Sequence, residues 1–151
     1  MATPLLSDEE MQLWHAWKRA GEAVMAGVER DITMTTGLSG ADYGVLSRLA
    51  DLGRGKLRQQ ELANSMGWDK SRLSHHLTRM AARGLVTRQT AKGDGVTVTQ
   101  TTDGRKVLAR ARPVHAESIR RHLLARLTPE QRGALGVICE LLKEGRPGTP
   151  A

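Results

Sequence analysis

Between Leu57 and Gln100 the sequence sets out a fixed order of short elements, and that order limits the folds available to it. Leu57–Met66 reads as a short helix with Leu62 and Met66 on one face, and Gly67-Trp68 makes a turn. Asp69 can cap the next helix, in which Leu73, Leu77 and Met80 fall at i, i+4 and i+7 and so line one face. Gly84 stands where a helix end needs a positive φ, and Leu85 follows as its apolar partner. Two β-branched, threonine-rich runs, Leu85–Thr90 and Val96–Gln100, then flank Lys92-Gly93-Asp94-Gly95, the pattern of a hairpin with a glycine turn. Helix, short turn, helix and hairpin together outline a winged helix-turn-helix.

The flanks are helical. Ser7-Asp8-Glu9-Glu10 forms a capping box, and Met11, Trp14, Trp17, Val24, Val28 and Ile32 recur at helical spacing as far as about Met34, before Gly37. A second helix starts at Ser39-Gly40-Ala41-Asp42, carries Tyr43, Val45, Leu46 and Leu49, and ends at Gly53 and Gly55. A fifth runs from Thr102 to about Arg126, with Pro113 expected to kink it. Thr128-Pro129-Glu130-Gln131 opens the last helix, lined by Leu135, Ile138, Leu141 and Leu142. The expected order is α-α-α-α-β-β-α-α, mainly α with a small β-hairpin wing. Residues 37–103 are expected to form the DNA-binding winged module, residues 1–36 and 104–145 a helical dimerisation region, and residues 146–151 a flexible tail. Long apolar-striped helices at both ends call for burial that one chain does not easily supply.

Charge is uneven along the 151 residues. Residues 1–53 carry −4, residues 54–92 carry +7 and residues 93–151 carry +4, so the middle third holds as much excess charge as the whole chain. A local basic footprint of this kind suits a polyanion, because each neutralised phosphate releases condensed counterions. Cys139 is the single cysteine, so an intrachain disulfide is excluded; within Val137-Ile138-Cys139 it reads as a small buried hydrophobe. No apolar run reaches the ~18 residues of a membrane span. The acidic N-terminus is unlike a signal peptide, and a cytoplasmic, nucleoid-associated location is expected. His75 and His76 are adjacent and do not form the i, i+4 pair that a metal site prefers, and phosphate-loop, dinucleotide and nucleophile-elbow motifs are absent. No catalysis, metal or cofactor is expected.

On a helix at Asp69–Arg83 the apolar stripe leaves Lys70, Ser71, Arg72, Ser74, His75, His76 and Arg79 pointing mostly outward. Arg pairs bidentately with guanine, Ser and His bond to bases or phosphates, and Lys supplies charge. The first turns enter the groove, which favours Lys70, Ser71, Arg72, Ser74 and His75 as readers; Arg79 and Arg83 reach the backbone. Arg58, Arg88 and Lys92 complete the expected DNA-contacting set.

The segment Leu57–Arg88, LRQQELANSMGWDKSRLSHHLTRMAARGLVTR, resembles the core of the multiple-antibiotic-resistance regulator (MarR) family. LSGADYGVL at 38–46, TTDGR at 101–105 and LTPEQ at 127–131 agree with it, so the resemblance covers nearly the whole chain. It implies a homodimer with interlocked terminal helices, bound to a roughly palindromic operator on double-stranded DNA and commonly acting as a repressor. It also implies release by a small aromatic or anionic effector held near the dimer interface, for which Trp14, His15, Trp17, Tyr43 and His115 are the candidates. The sequence departs from the family at the wing. Asp94 is followed by Gly95 and Val96, and the arginine that usually enters the minor groove is missing. The rival readings are a protein-binding winged-helix module and a metal- or redox-responsive regulator.

Overall fold

The computed structural model describes residues 4–93 and 95–144. The chain divides into two compact units. One is drawn from Met1–Gly27 and Glu117–Ala151, the other from Val28–Ala116. Among the described residues, six α-helices and three strands follow one another as α1 (Asp8–Thr36), α2 (Gly40–Gly53), β1 (Lys56–Arg58), α3 (Gln59–Met66), α4 (Lys70–Ala82), β2 (Val86–Ala91), β3 (Gly95–Gln100), α5 (Thr102–His122) and α6 (Pro129–Glu144), with a 3₁₀ turn at Leu124–Arg126.

Capping side chains set the helix starts. The Ser7 hydroxyl accepts from the Glu10 amide at 3.2 Å while Glu10 accepts from the Ser7 amide at 2.7 Å. Ser39 and Asp42 repeat this reciprocal pair at α2, and Thr128 and Gln131 at α6. Asp69 Oδ1 accepts from the Arg72 amide at 2.8 Å and opens α4. Gly84, at φ 74°, closes α4, and the Leu85 amide turns back to the Met80 carbonyl at 3.0 Å.

The unit Val28–Ala116 has a single apolar core. Leu73, Leu77 and Met80 of α4 are fully buried, as are Val45, Leu46 and Leu49 of α2, Leu62 of α3 and Val98 of β3. Each such side chain contributes about 1.5–3 kcal/mol of burial. One side of α4 is therefore fixed to the core and the other is left to solvent.

The sheet has the order β1-β3-β2 and is antiparallel throughout. The hairpin was expected; the third strand was not. Lys56–Arg58 pairs with Thr97–Thr99, so Leu57 and Arg58 belong to a strand rather than to the first turn of α3. A three-residue strand is too short for its own periodicity to show, and only its long-range partner defines it. α5 passes through Pro113 as one helix and ends at His122, short of the expected Arg126, where the 3₁₀ turn takes over. Asp94, at the wing turn, lies outside the described residues. Among the described residues, no helix is long and apolar enough to cross a membrane.

Candidate nucleic-acid interface

The outer side of α4 presents Lys70, Ser71, Arg72, His75 and Arg79 to solvent, with Ser74 half-buried beside them. Lys70 stands next to Gln59, Gln60, Gly95 and Val96, around a small cleft between α3 and the turn end of the hairpin. Lys92 is exposed at the hairpin end and Arg58 at the start of α3, where the Arg58 amide donates to Glu61 at 3.0 Å. The α4 face thus combines cations with short hydrogen-bonding side chains, and the only carboxylate at its start, Asp69, is occupied as the cap.

Three cations and imidazoles lie differently from expectation. His76 points inward rather than outward and is 8% exposed. Its Nε2 lies 3.0 Å from Asp42 Oδ1, and its Nδ1 accepts from Arg79 Nη2 at 3.1 Å. Because a guanidinium only donates, Nε2 must carry the imidazole proton and direct it towards Asp42. The approach is a close polar contact, off the line of a well-formed hydrogen bond. Arg83, partly exposed, is also engaged within the fold; its Nη1 donates to Asp42 Oδ2 at 2.7 Å and its Nη2 to the Gly37 carbonyl at 3.1 Å. Arg88 is half-buried and braces β2 against α4, donating to Thr78 Oγ1 at 2.8 Å and to the Ser74 carbonyl at 3.4 Å.

Asp42, 1% exposed, is the hub of this arrangement. Burial alone would raise its carboxyl, but hydrogen bonds from Arg83 and the Ser39 amide, with the charges of Arg83 and His76, outweigh burial and leave it below the ordinary value. For His76 burial dominates and pushes the imidazole down, helped by Arg79 and Arg83 and opposed by Asp42. Trp68 adds a second anchor: its ring meets His76 edge-on at 5.6 Å and takes the Arg72 guanidinium over its face at 4.0 Å.

Of the expected effector residues, Tyr43 and His115 come together, stacked with ring centroids 4.4 Å apart and planes 27° apart. Burial raises the Tyr43 hydroxyl, while burial and then the Arg112 charge lower His115. Arg112 itself is paired with Asp51. Trp14, His15 and Trp17 lie on the part of α1 that belongs to the other unit, where all three are exposed. Cys139 is half-buried on α6. Among the described residues, no three His, Cys, Asp or Glu side chains gather into a group that could hold a metal.

His76 and His115 both sit below the ordinary histidine value of 6.5 in the folded chain. Between the folded and ordinary values the unfolded chain binds more protons, so stability is complete above about 6.5 and falls as the pH drops below it. Thermal melts taken from about pH 7.5 down to about pH 5 are expected to show a falling midpoint, with a flatter profile in His76→Gln. A midpoint that rises on acidification would contradict these two assignments.

A helix pair joined by a glycine turn, its second helix backed by the core and flanked by a three-stranded wing, defines a winged helix-turn-helix. A sequence profile described as MarR family matches residues 36–95. Sco3205 of Streptomyces coelicolor, a MarR family regulator whose crystal structure is in complex with DNA, superposes with a TM-score of 0.88 at 32% identity; the alignment covers 99% of this chain and 95% of that one. AbsC, a MarR family regulator of the same organism, gives 0.84 at 30% identity over 94% and 97% of the two chains. BpsR of Bordetella bronchiseptica, whose DNA binding is regulated by 6-hydroxynicotinic acid, shares the fold at 0.76 and 23% identity over 87% and 98%. No curated protein sequence matches significantly. The chain belongs to the MarR family: it is a DNA-binding transcriptional regulator and not an enzyme.

Proposed function

We propose that the chain acts as a cytoplasmic homodimer, a repressor that reads a pseudo-palindromic operator with α4 of each protomer and is released by a small aromatic or anionic effector. The observation that carries this reading is the outer face of α4, where Lys70, Ser71, Arg72 and His75 stand exposed on a helix held from behind by Leu73, Leu77 and Met80. Ser74 and Arg79 extend that face, and Arg58 and Lys92 are exposed cations that we assign to phosphate contacts. His76 has an internal role on Asp42, and Arg88 acts as a brace. The DNA complex of Sco3205 supports the same use of the fold.

Dimerisation, with residues 1–36 and 104–145 as its region, is supported by the apolar surface of the terminal unit. Leu13, Trp14, Trp17 and Met25 of α1 are exposed, as are Val137, Ile138, Leu141 and Leu142 of α6. A set of this size on a soluble chain marks an interaction surface. A two-fold dimer also places two recognition helices about one DNA turn apart. The Tyr43–His115 stack, with Arg112 beside it, offers an aromatic face and a cation to an effector, and Trp14, His15 and Trp17 remain candidates on α1.

The test is binding to a duplex selected by the protein from a random pool, measured against salt and against a scrambled duplex. Affinity is expected to fall steeply with salt, as it does when several phosphates are neutralised. Arg72→Ala is expected to cost about 1–3 kcal/mol on the selected duplex and much less on the scrambled one, whereas Lys92→Ala weakens both equally. Unchanged discrimination in Arg72→Ala would remove α4 as the reading face.

A further inference from the structure

Trp68 sits half-buried in the turn between α3 and α4. Its position is set twice. The backbone is fixed by Gly67 at φ 65° and by donation of the Trp68 amide to the Ala63 carbonyl at 3.1 Å. The ring is fixed by its edge contact with His76, itself held by Asp42 and Arg79. Over a face of this ring lies the Arg72 guanidinium, 4.0 Å from the centroid. The Arg72 backbone is in turn fixed by the Asp69 cap at 2.8 Å.

A stacked guanidinium engages its partner through its face and keeps its N–H donors in the plane. Among the described residues, no side chain accepts a hydrogen bond from the Arg72 guanidinium. Its in-plane donors are therefore available, in one orientation, to the paired acceptors on the major-groove edge of a guanine. An unsupported arginine would have to give up rotamer freedom to reach that geometry.

We propose that Trp68 is a positioning residue that pre-orients Arg72 for base reading, so that it sets operator discrimination without touching DNA itself. The proposal rests on the reading of α4 as the DNA-reading helix. The structure links the platform to the interior in an unbroken series, Arg72 on Trp68, Trp68 on His76 and His76 on Asp42.

The test compares full-length variants on the duplex selected from a random pool by the unaltered protein and on a scrambled duplex of the same length. Trp68→Leu is expected to lower the ratio of the two affinities about 5-fold while leaving the scrambled duplex affinity and the salt slope unchanged. Trp68→Phe, which keeps an aromatic face, is expected to stay within about 2-fold of the unaltered ratio. Arg72→Ala is expected to lose about 10- to 100-fold, and adding Trp68→Leu to it should change little further, since the platform has lost its passenger. Where Trp68→Leu does not fold, as judged by its melting curve, Trp68→Met takes its place. An unaltered ratio in Trp68→Leu, or an equal loss with and without Arg72, would overturn the proposal while leaving α4 as the reading face. A ratio that survives Arg72→Ala would instead overturn the reading face, and this proposal with it.

Discussion

Asp42→Ala is expected to destabilise the protein by about 2–4 kcal/mol, which for a chain of this size lowers the melting midpoint by roughly 5–15 °C. The carboxylate is 1% exposed and serves three groups at once. The Ser39 amide donates to it at 2.9 Å and caps α2, Arg83 donates at 2.7 Å, and His76 lies at 3.0 Å. Alanine would leave the buried Nε2–H of His76 without its carboxylate and would remove one half of the α2 capping box, the bond from the Ser39 amide. Arg83, 45% exposed, would recover hydration, which is why the expected loss falls below that of a fully buried pair. Asp42→Asn keeps an acceptor for the Ser39 amide and should lose less. Urea unfolding of the three proteins checks this order, and a loss under about 0.5 kcal/mol in Asp42→Ala would mean that the hub does not hold α4 to α2.

Gly104→Ala is expected to be still more damaging, about 3 kcal/mol or above. A Cβ on Gly104 would stand 2.2 Å from the Leu85 carbonyl oxygen and 3.2 Å from Gln100 Cγ. Side chains often turn aside from such an overlap, but this oxygen is backbone and is already engaged. It accepts from the Thr101 amide at 3.1 Å, while the Thr101 hydroxyl donates to the adjacent Gly84 carbonyl at 2.6 Å and accepts from the Gly104 amide at 2.9 Å. Relief would require the start of α5 to part from the residue that leads α4 into β2. The variant should therefore melt well below the unaltered protein and bind DNA weakly at temperatures where the unaltered protein binds fully. A midpoint within about 2 °C of the unaltered protein would show that this junction yields more easily than its geometry implies.

The α4 core face was legible because Leu73, Leu77 and Met80 repeat at helical spacing and nothing tertiary overrode them. The caps at Ser7, Ser39, Asp69 and Thr128 were legible as side-chain chemistry within three residues. The hairpin followed from its glycine turn, whereas β1 depended on partners some forty residues away. His76 was misassigned to the outer face. It stands three residues from Leu73 and four from Met80, on the flank of the apolar stripe, and that spacing was the available sign. Its partner Asp42 was visible only as part of the start of the second helix; nothing local marks a residue there that also faces an imidazole and a guanidinium from α4 and its end. Arg83 and Arg88 were read by charge alone, and charge does not distinguish a cation facing solvent from one spent on an internal acceptor. Trp68 was read as a turn residue. That its ring carries the Arg72 guanidinium was not expected, because the contact depends on the ring orientation that His76 imposes.

The central claim is that the outer face of α4 lies in the major groove of duplex DNA, once from each of two protomers. Methylation interference on a duplex selected by the protein tests it at the level of single atoms, because guanine N7 lies in the major groove and adenine N3 in the minor. The expected pattern is strong interference at guanine N7 in two clusters about one helical turn, or ~10 base pairs, apart, with one guanine in each cluster becoming insensitive in Arg72→Ala. Interference at adenine N3 outside those clusters should be weak, since the hairpin end offers Lys92 and no arginine at the position the family normally uses. Binding indifferent to guanine N7 methylation, or blocked only from the minor groove, would contradict the account.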